Sequence, residues 1–328
     1  MDICGQTYTY PDLLRYCNPS SLYGARRVVV NDGRGHGQKL VEVKTAAGLR
    51  ATFLEDKCLD IIDLEYKGVN LGFLSKNGMT SDANPKTNSY RNYWSGGFLF
   101  TCGLRNMGPP CNIGDENFPQ HGNIGLTPMQ HVNISVDENE IVISGQAQET
   151  ALFGHFLEMK RKITIPSDGA AITVNDVVYN RTPKEEPLFL LYHINFGFPF
   201  LNENLVVNLP EGEIWGRENY KDMDKCTQMS PPDDNAGEQV FFKKTPQKKS
   251  VVNLTNRLLN IDAEISYDGT QLPVLAMWKS MRSGDYALGI EPCVSHMRGR
   301  KQALENGYDV KIAGFESVEY GFTFKVKG

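Results

Sequence analysis

The sequence lacks any apolar run long enough to cross a bilayer, and its first residues, Met1-Asp-Ile-Cys-Gly-Gln-Thr-Tyr-Thr-Tyr10, are too polar for a secretory signal. No membrane partner is expected, and a cytoplasmic location is. Positive charge is not in excess either. The 34 Lys and Arg residues against 39 Asp and Glu give a formal net charge of -5, which offers no attraction to phosphate backbones, so nucleic acid is not an expected partner. The one basic run, Lys243, Lys244, Lys248 and Lys249 around Pro246, has the composition of a solvated loop. Seven cysteines, an odd number without a Cys-x-x-Cys pair, indicate neither a disulfide framework nor a zinc ribbon.

Several chemical signatures are missing too. Gly33-Arg-Gly-His-Gly37 has no Gly-Lys-Ser/Thr ending, so it is not a phosphate loop, and no Gly-x-Ser-x-Gly is present for a serine esterase. Helical periodicity is weak except over Pro11–Tyr16, and no fixed-period repeat suggests a propeller or solenoid.

What is present reads at period two. Val132, Ile134 and Val136 alternate with polar residues, the turn Asp137-Glu-Asn-Glu140 follows, and Ile141 and Ile143 resume the alternation, which predicts a hairpin. Ile163 and Ile165, then Pro166-Ser-Asp-Gly169, then Ile172 and Val174 predict a second. Tyr320, Phe322, Phe324 and Val326 give one apolar face to a strand near the carboxyl end. An all-β, large antiparallel sandwich follows. The stretch Asn77–Asn92, rich in Asn, Ser, Asp and Pro, predicts a long exposed loop of the kind that shapes binding sites.

Polar residues interrupt four otherwise apolar stretches. In Leu188-Phe-Leu-Leu-Tyr-His-Ile-Asn-Phe-Gly-Phe-Pro-Phe-Leu201, alternation puts His193, Asn195 and Gly197 on one face. That face is either a satisfied core or a site where an imidazole moves a proton, Asn195 binds a hydroxyl, and Gly197 leaves room for a ligand. In Asp285-Tyr-Ala-Leu-Gly-Ile-Glu-Pro-Cys293, Glu291 shares a face with the small Ala287 and Gly289. It is either a base whose pKa is raised by burial or the partner of Arg298 or Arg300. His121, in Pro119-Gln-His-Gly122, and Arg105, at the end of Gly96–Arg105, are weaker candidates for substrate contact. Trp278 could stack on a sugar face or fill the core.

Together these stretches resemble the aldose 1-epimerase, or galactose mutarotase-like, superfamily and within it the DUF4432 branch. The resemblance spans about Val41 to Val326 and rests on Asp56-Lys-Cys-Leu-Asp-Ile61, Cys102-Gly-Leu104, His121-Gly122, Leu191–Gly197, Pro199-Phe-Leu201, Ile290-Glu-Pro292 and Gly299-Arg300. It implies a galactose mutarotase-like supersandwich over residues 1–328 as a single domain, with residues 1–35 a short amino-terminal extension. It further implies a concave face that binds a monosaccharide or sugar acid. His193 would protonate the ring oxygen and Glu291 would take the anomeric hydroxyl proton. His121, Asn195, Arg105, Trp278 and Arg300 would bind substrate, with Arg91 the other candidate arginine. Relatives usually carry Arg-Gly where this chain has Lys57-Cys58, which removes one arginine contact.

Mutarotation needs two opposed proton transfers, so neither a cofactor nor a metal is expected. The competing readings are a sugar or uronate isomerase, with a metal on His121, His193 and Glu291, and a non-catalytic carbohydrate sensor. No basic cluster accompanies the candidate residues, which disfavours a phosphorylated substrate. An oligomer is compatible with all three readings.

Overall fold

The alternation of Tyr320, Phe322, Phe324 and Val326 is realised as the strand Ser317–Lys327, with those four side chains buried and their neighbours facing out. The computed structural model describes residues 1–3, 5–82, 84, 89–217 and 223–328, with Asp2 as backbone only. Ser317–Lys327 lies inside an eight-stranded antiparallel sheet. Its order is Gln130–Val136, Glu140–Thr150, Phe156–Pro166, Ala171–Asn180, Ser317–Lys327, Ile261–Tyr267, Ser250–Asn256 and Leu205–Asn208. Both expected hairpins are part of it. Ile141 pairs with Ile165 and Ile143 with Ile163, so the apolar sides of three consecutive strands share one face.

A second antiparallel sheet covers that face. Its order is Ile214–Gly216, Gln239–Lys244, Val274–Arg282, Asp285–Cys293, Glu186–Phe196 and Val310–Ile312, and Leu99–Leu104 also pairs with Glu186–Phe196. Rings from the two sheets meet in the core, Tyr192 against Phe322 at 5.0 Å and Phe196 against Phe324 at 6.4 Å between centroids. A five-stranded sheet, Gly24–Val29, Lys39–Lys44, Leu49–Leu54, Asp60–Tyr66 and Val69–Asn70, packs into the same core. The one helix expected from sequence runs Tyr10–Tyr16 and is capped by Thr9, whose side chain accepts from the Asp12 N–H. Among the described residues no helix is long and apolar enough to cross a membrane.

Two expectations are corrected. Lys243 and Lys244 end the strand Gln239–Lys244 rather than sit in a loop, and Lys244 pairs with Glu213 at 2.9 Å. Gly197 does not leave room for a ligand. A Cβ there would lie 2.5 Å from the Gly72 carbonyl oxygen, so the missing side chain admits the backbone of Gly72 and Phe73, and the Gly197 N–H donates to Leu71 O.

The three sheets converge on one buried cation. Arg161, fully buried, donates Nε and Nη2 to Asp176 at 2.8 Å each, Nη1 to Asp60 at 2.9 Å and to Cys58 O at 2.7 Å, and Nη2 to Thr101 Oγ1 at 2.9 Å. The Tyr192 hydroxyl completes the set by donating to Asp176 at 2.8 Å. All five guanidinium N–H groups are used, which is what makes burial of the charge tolerable. Arg161→Ala would leave two buried carboxylates without a cation, so a loss of about 3–5 kcal/mol in urea unfolding is expected. Tyr192→Phe, which removes a single hydrogen bond to a charged acceptor, is expected to cost about 1.5–3 kcal/mol in the same measurement.

Candidate active site

Strand register brings the two central candidates together. Glu186–Phe196 and Asp285–Cys293 are adjacent and antiparallel, with Leu191 opposite Cys293 and Asn195 opposite Gly289. His193 therefore faces Glu291 on the same side of the sheet. Their Nε2 and Oε1 atoms lie 3.3 Å apart, with the side chains 6% and 0% exposed. Gly289 makes this approach possible, since a Cβ there would stand 2.4 Å from Glu291 Oε1 and 3.2 Å from His193 Cε1. Asn195 supports the strand: its Nδ2 donates to Gly97 O at 3.0 Å and to His193 O at 3.1 Å. Glu291 takes no arginine partner, because Arg300 Nη1 donates to the Arg105 carbonyl instead.

An aromatic layer covers the pair. Trp94, Trp278 and His121 place their rings 5.5, 5.6 and 5.7 Å from the His193 ring, and Tyr90 stacks on Trp94 at 5.5 Å. Above the layer opens a cavity of about 770 Å³, within the range of small-molecule sites, with Phe73, Trp94, Trp278 and His121 among its walls. His121 is held by its own glycine. A Cβ on Gly122 (φ +74°) would lie 2.1 Å from Gly103 O, so the His-Gly pair fits where another residue would not. His121 Nδ1 accepts from the Gly108 N–H at 3.4 Å, which leaves the ring proton on Nε2 as a donor. The Trp278 indole is steered by Glu238, to which its Nε1–H donates at 3.0 Å.

Burial sets the protonation states. It pushes the Glu291 carboxyl up to about 8, with the charge of Glu238 adding to the effect. It pulls the His193 imidazole down to about 3, with His121 adding, and His121 itself down to about 4. At neutral pH the rings are uncharged and the carboxyl keeps its proton. The sequence anticipates a raised Glu291 pKa as making a better base; the shift is large enough to leave the proton on Glu291. Among the described residues, His193 Nδ1, both Glu291 oxygens, Asn195 Oδ1, Tyr90 Oη and Trp94 Nε1 are buried without a hydrogen-bond partner. Unpaired buried groups are uncommon in a packed core, and six of them gather around this pair.

The remaining candidates fall elsewhere. Arg105 forms a two-pronged pair with Glu116 and, with Glu149 and His155, lines a separate cavity. Arg300 lies over the Phe118 ring at 4.8 Å. Lys57 is buried and donates to Thr80 O. Of the stretch Asn77–Asn92, residues 83 and 85–88 lie outside the described residues; Tyr90–Tyr93 forms a helical turn that, with Trp94, turns aromatics inward. Sequence reasoning misses Tyr90, Trp94 and Glu238, although the four-residue spacing of Tyr90 and Trp94 is the signal that would have found the stacked pair. The expected lack of basic residues is also overturned, since Lys76, Arg91, Arg217 and Arg282 all line the cavity. Among the described residues no three His, Cys, Asp or Glu side chains come together as a metal-binding group, His121, His193 and Glu291 included.

The sequence matches the family described as a domain of unknown function, DUF4432, over residues 35–326. No curated protein matches it. Among solved structures, a candidate aldose 1-epimerase from Klebsiella pneumoniae is similar at 20% identity and a TM-score of 0.86, covering 96% of this chain and 85% of its own. A galactose mutarotase-like protein from Clostridium acetobutylicum matches at 15% identity and a TM-score of 0.67, over 94% of this chain and 99% of its own. A galactose 1-epimerase from Lactobacillus acidophilus matches at 10% identity and a TM-score of 0.63, over 93% and 99%. At these identities the likeness is one of fold, the galactose mutarotase-like sandwich.

Two of the three tryptophans of the chain border the cavity and the third, Trp215, packs on Phe242. A ligand in the cavity is expected to change intrinsic fluorescence in wild type and Trp215→Phe, and to lose most of that response in Trp94→Phe and Trp278→Phe. The raised Glu291 pKa also gives a stability signature. The folded state holds the extra proton between the ordinary 4.5 and about 8. Its stabilising effect is therefore complete below 4.5 and lost as pH rises through 8, and Glu291→Gln is expected to flatten that slope in unfolding measured across pH 5–8.5.

Proposed function

The chain belongs to the DUF4432 family, and from that premise and the geometry of the pocket we propose that it binds a monosaccharide and catalyses exchange at the anomeric carbon as an aldose 1-epimerase. The observation that carries this reading is the buried His193–Glu291 pair, Nε2 and Oε1 3.3 Å apart, with unpaired polar atoms beneath an aromatic cavity. Ring opening needs one proton delivered to the ring oxygen as the C1–O5 bond breaks, and one removed from the anomeric hydroxyl as the C1 carbonyl forms. A pair with one proton between its two members can do both and ends with the same count. His193 acts as the acid and Glu291 as the base only once the proton that rests on Glu291 in the free site has passed to His193, a transfer that sugar hydroxyls bonded to the carboxylate would favour. Rotation about C1–C2 and reclosure then give the other anomer. His121, through its Nε2–H, and Trp278, through its ring face, hold the sugar over the pair.

One observation favours a second reading. His193 and Glu291 lie under the layer of Trp94, Trp278 and His121 rather than in the cavity wall, so a sugar resting on that layer would be held without touching them. Such a protein is a carbohydrate-binding module. For epimerisation the Trp94 indole has to turn aside.

Saturation-transfer NMR of anomeric exchange, run on a panel of aldoses, separates the two. The enzyme reading expects acceleration that falls about 100-fold or more in both His193→Ala and Glu291→Gln. It also expects kcat/KM to hold from about pH 4 to 8 and to decline above about pH 8, where the pair loses its single proton. Sugar binding unchanged in Glu291→Gln, with no acceleration in either form, would establish the binding module instead.

A further inference from the structure

We propose that the sugar taken by this site is anionic, with a carboxylate or phosphate at the end remote from its anomeric carbon, held at the cavity mouth by Arg91 and Arg282. The inference rests on the reading of this cavity as a sugar site. Four cations, Lys76, Arg91, Arg217 and Arg282, and two anions, Glu238 and Asp285, line it, which leaves an excess of two positive charges in a chain of formal net charge -5. Both anions are already engaged. Lys76 Nζ pairs with Asp285 at 2.9 Å, and Arg217 Nη2 pairs with Glu238 at 2.8 Å. Arg91 and Arg282 remain, and among the described residues neither side chain makes a hydrogen bond or salt bridge. Arg91 lines the cavity and lies near Glu238, whose carboxyl burial pushes up but Arg217, Trp278 and Arg91 together hold below its usual range.

Nothing deeper in the site offsets this charge at neutral pH, because the Glu291 carboxyl keeps its proton and His121 and His193 are uncharged. Two uncompensated guanidiniums beside an aromatic layer form a field that a neutral hexose does not use. The planar fork of each matches a carboxylate or phosphate. The position of the charge on the sugar follows from the chemistry at the floor. His193 and Glu291 are at most 6% exposed, whereas Arg91 and Arg282 are exposed at the mouth. The anomeric hydroxyl has to be free and lowermost, so an anomeric phosphate or an aldonic acid is excluded, and the charge belongs on the C6 end, as in a uronic acid or a 6-phosphate.

The test is a matched set, glucose, glucuronate and glucose 6-phosphate with their galactose counterparts. Anomeric exchange is followed by saturation-transfer NMR and binding by calorimetry. For at least one anionic member the expected kcat/KM is about tenfold or more above that of its neutral parent at low salt, with the ratio shrinking as ionic strength rises. Arg91→Gln and Arg282→Gln are each expected to lower that ratio about tenfold, and the carboxylate and phosphate arms identify which group is held. A ratio near one that ignores both substitutions overturns the anionic assignment while leaving the epimerase reading intact. Absence of exchange with every sugar, together with anionic sugars binding more tightly than neutral ones and losing that advantage in Arg91→Gln, sinks the epimerase and supports the anionic site. Neither exchange nor preferential anionic binding overturns the assignment.

Discussion

One guanidinium holds the three sheets in register. Arg161 stands on the eight-stranded sheet with Asp176, reaches Asp60 on the five-stranded sheet, and meets Thr101 beside Tyr192 on the strands that carry the candidate site. A buried ion cluster of this kind adds little net stability compared with apolar packing, but it accepts only one arrangement of its partners. Apolar faces can slide past each other at modest cost; five directed hydrogen bonds from a rigid plane cannot. Asp60 feels both sides of this balance. Burial raises its pKa to about 6, while Arg161 and Thr101 pull it back toward the charged form.

That anchoring is one residue away from the His193–Glu291 pair. Tyr192 and His193 are successive residues of a strand, so they point to opposite faces. Tyr192 is tied into the Arg161 cluster on the core side and His193 faces Glu291 on the other. The same loss of water acts on both faces with opposite results. On the core side every polar atom of Arg161 finds a partner and the charge persists; on the cavity side Glu291 finds none and keeps its proton. A single strand thus separates a fully satisfied polar network from an unsatisfied one.

The fold was legible because period-two alternation over Val132–Ile143, Ile163–Val174 and Tyr320–Val326 is a direct image of sheets with one buried face. His193 and Glu291 were legible as polar interruptions of apolar strands, and register then brought them together. Other features have no linear trace. Lys76, Arg91, Arg217 and Arg282 are scattered over two hundred residues and converge only in the folded chain, so a search for runs of charge passes over them. The burial of Lys57 against Thr80 O, and the use of the space at Gly197 by the Gly72 backbone, depend on which segment folds back over a strand. The Tyr90–Trp94 pair does leave a trace in its four-residue spacing, but it sits in a stretch whose composition is that of a solvent-facing loop, and composition does not reveal which way a ring turns.

The segment that forms one wall of the cavity is fastened at its base. Gly72 bridges to Phe196, Leu74 bridges to Gly96, and the Gly97 N–H donates to Phe73 O, so residues 75–95 leave and rejoin the sandwich at almost the same place. A loop closed in this way can change length at slight cost, since doubling it adds only about 0.6 kcal/mol of closure entropy. The clamp therefore gives the two parts of the pocket different tolerances. The floor is fixed by strand register and the Arg161 cluster, whereas the wall can lengthen or shorten without disturbing what lies beneath it.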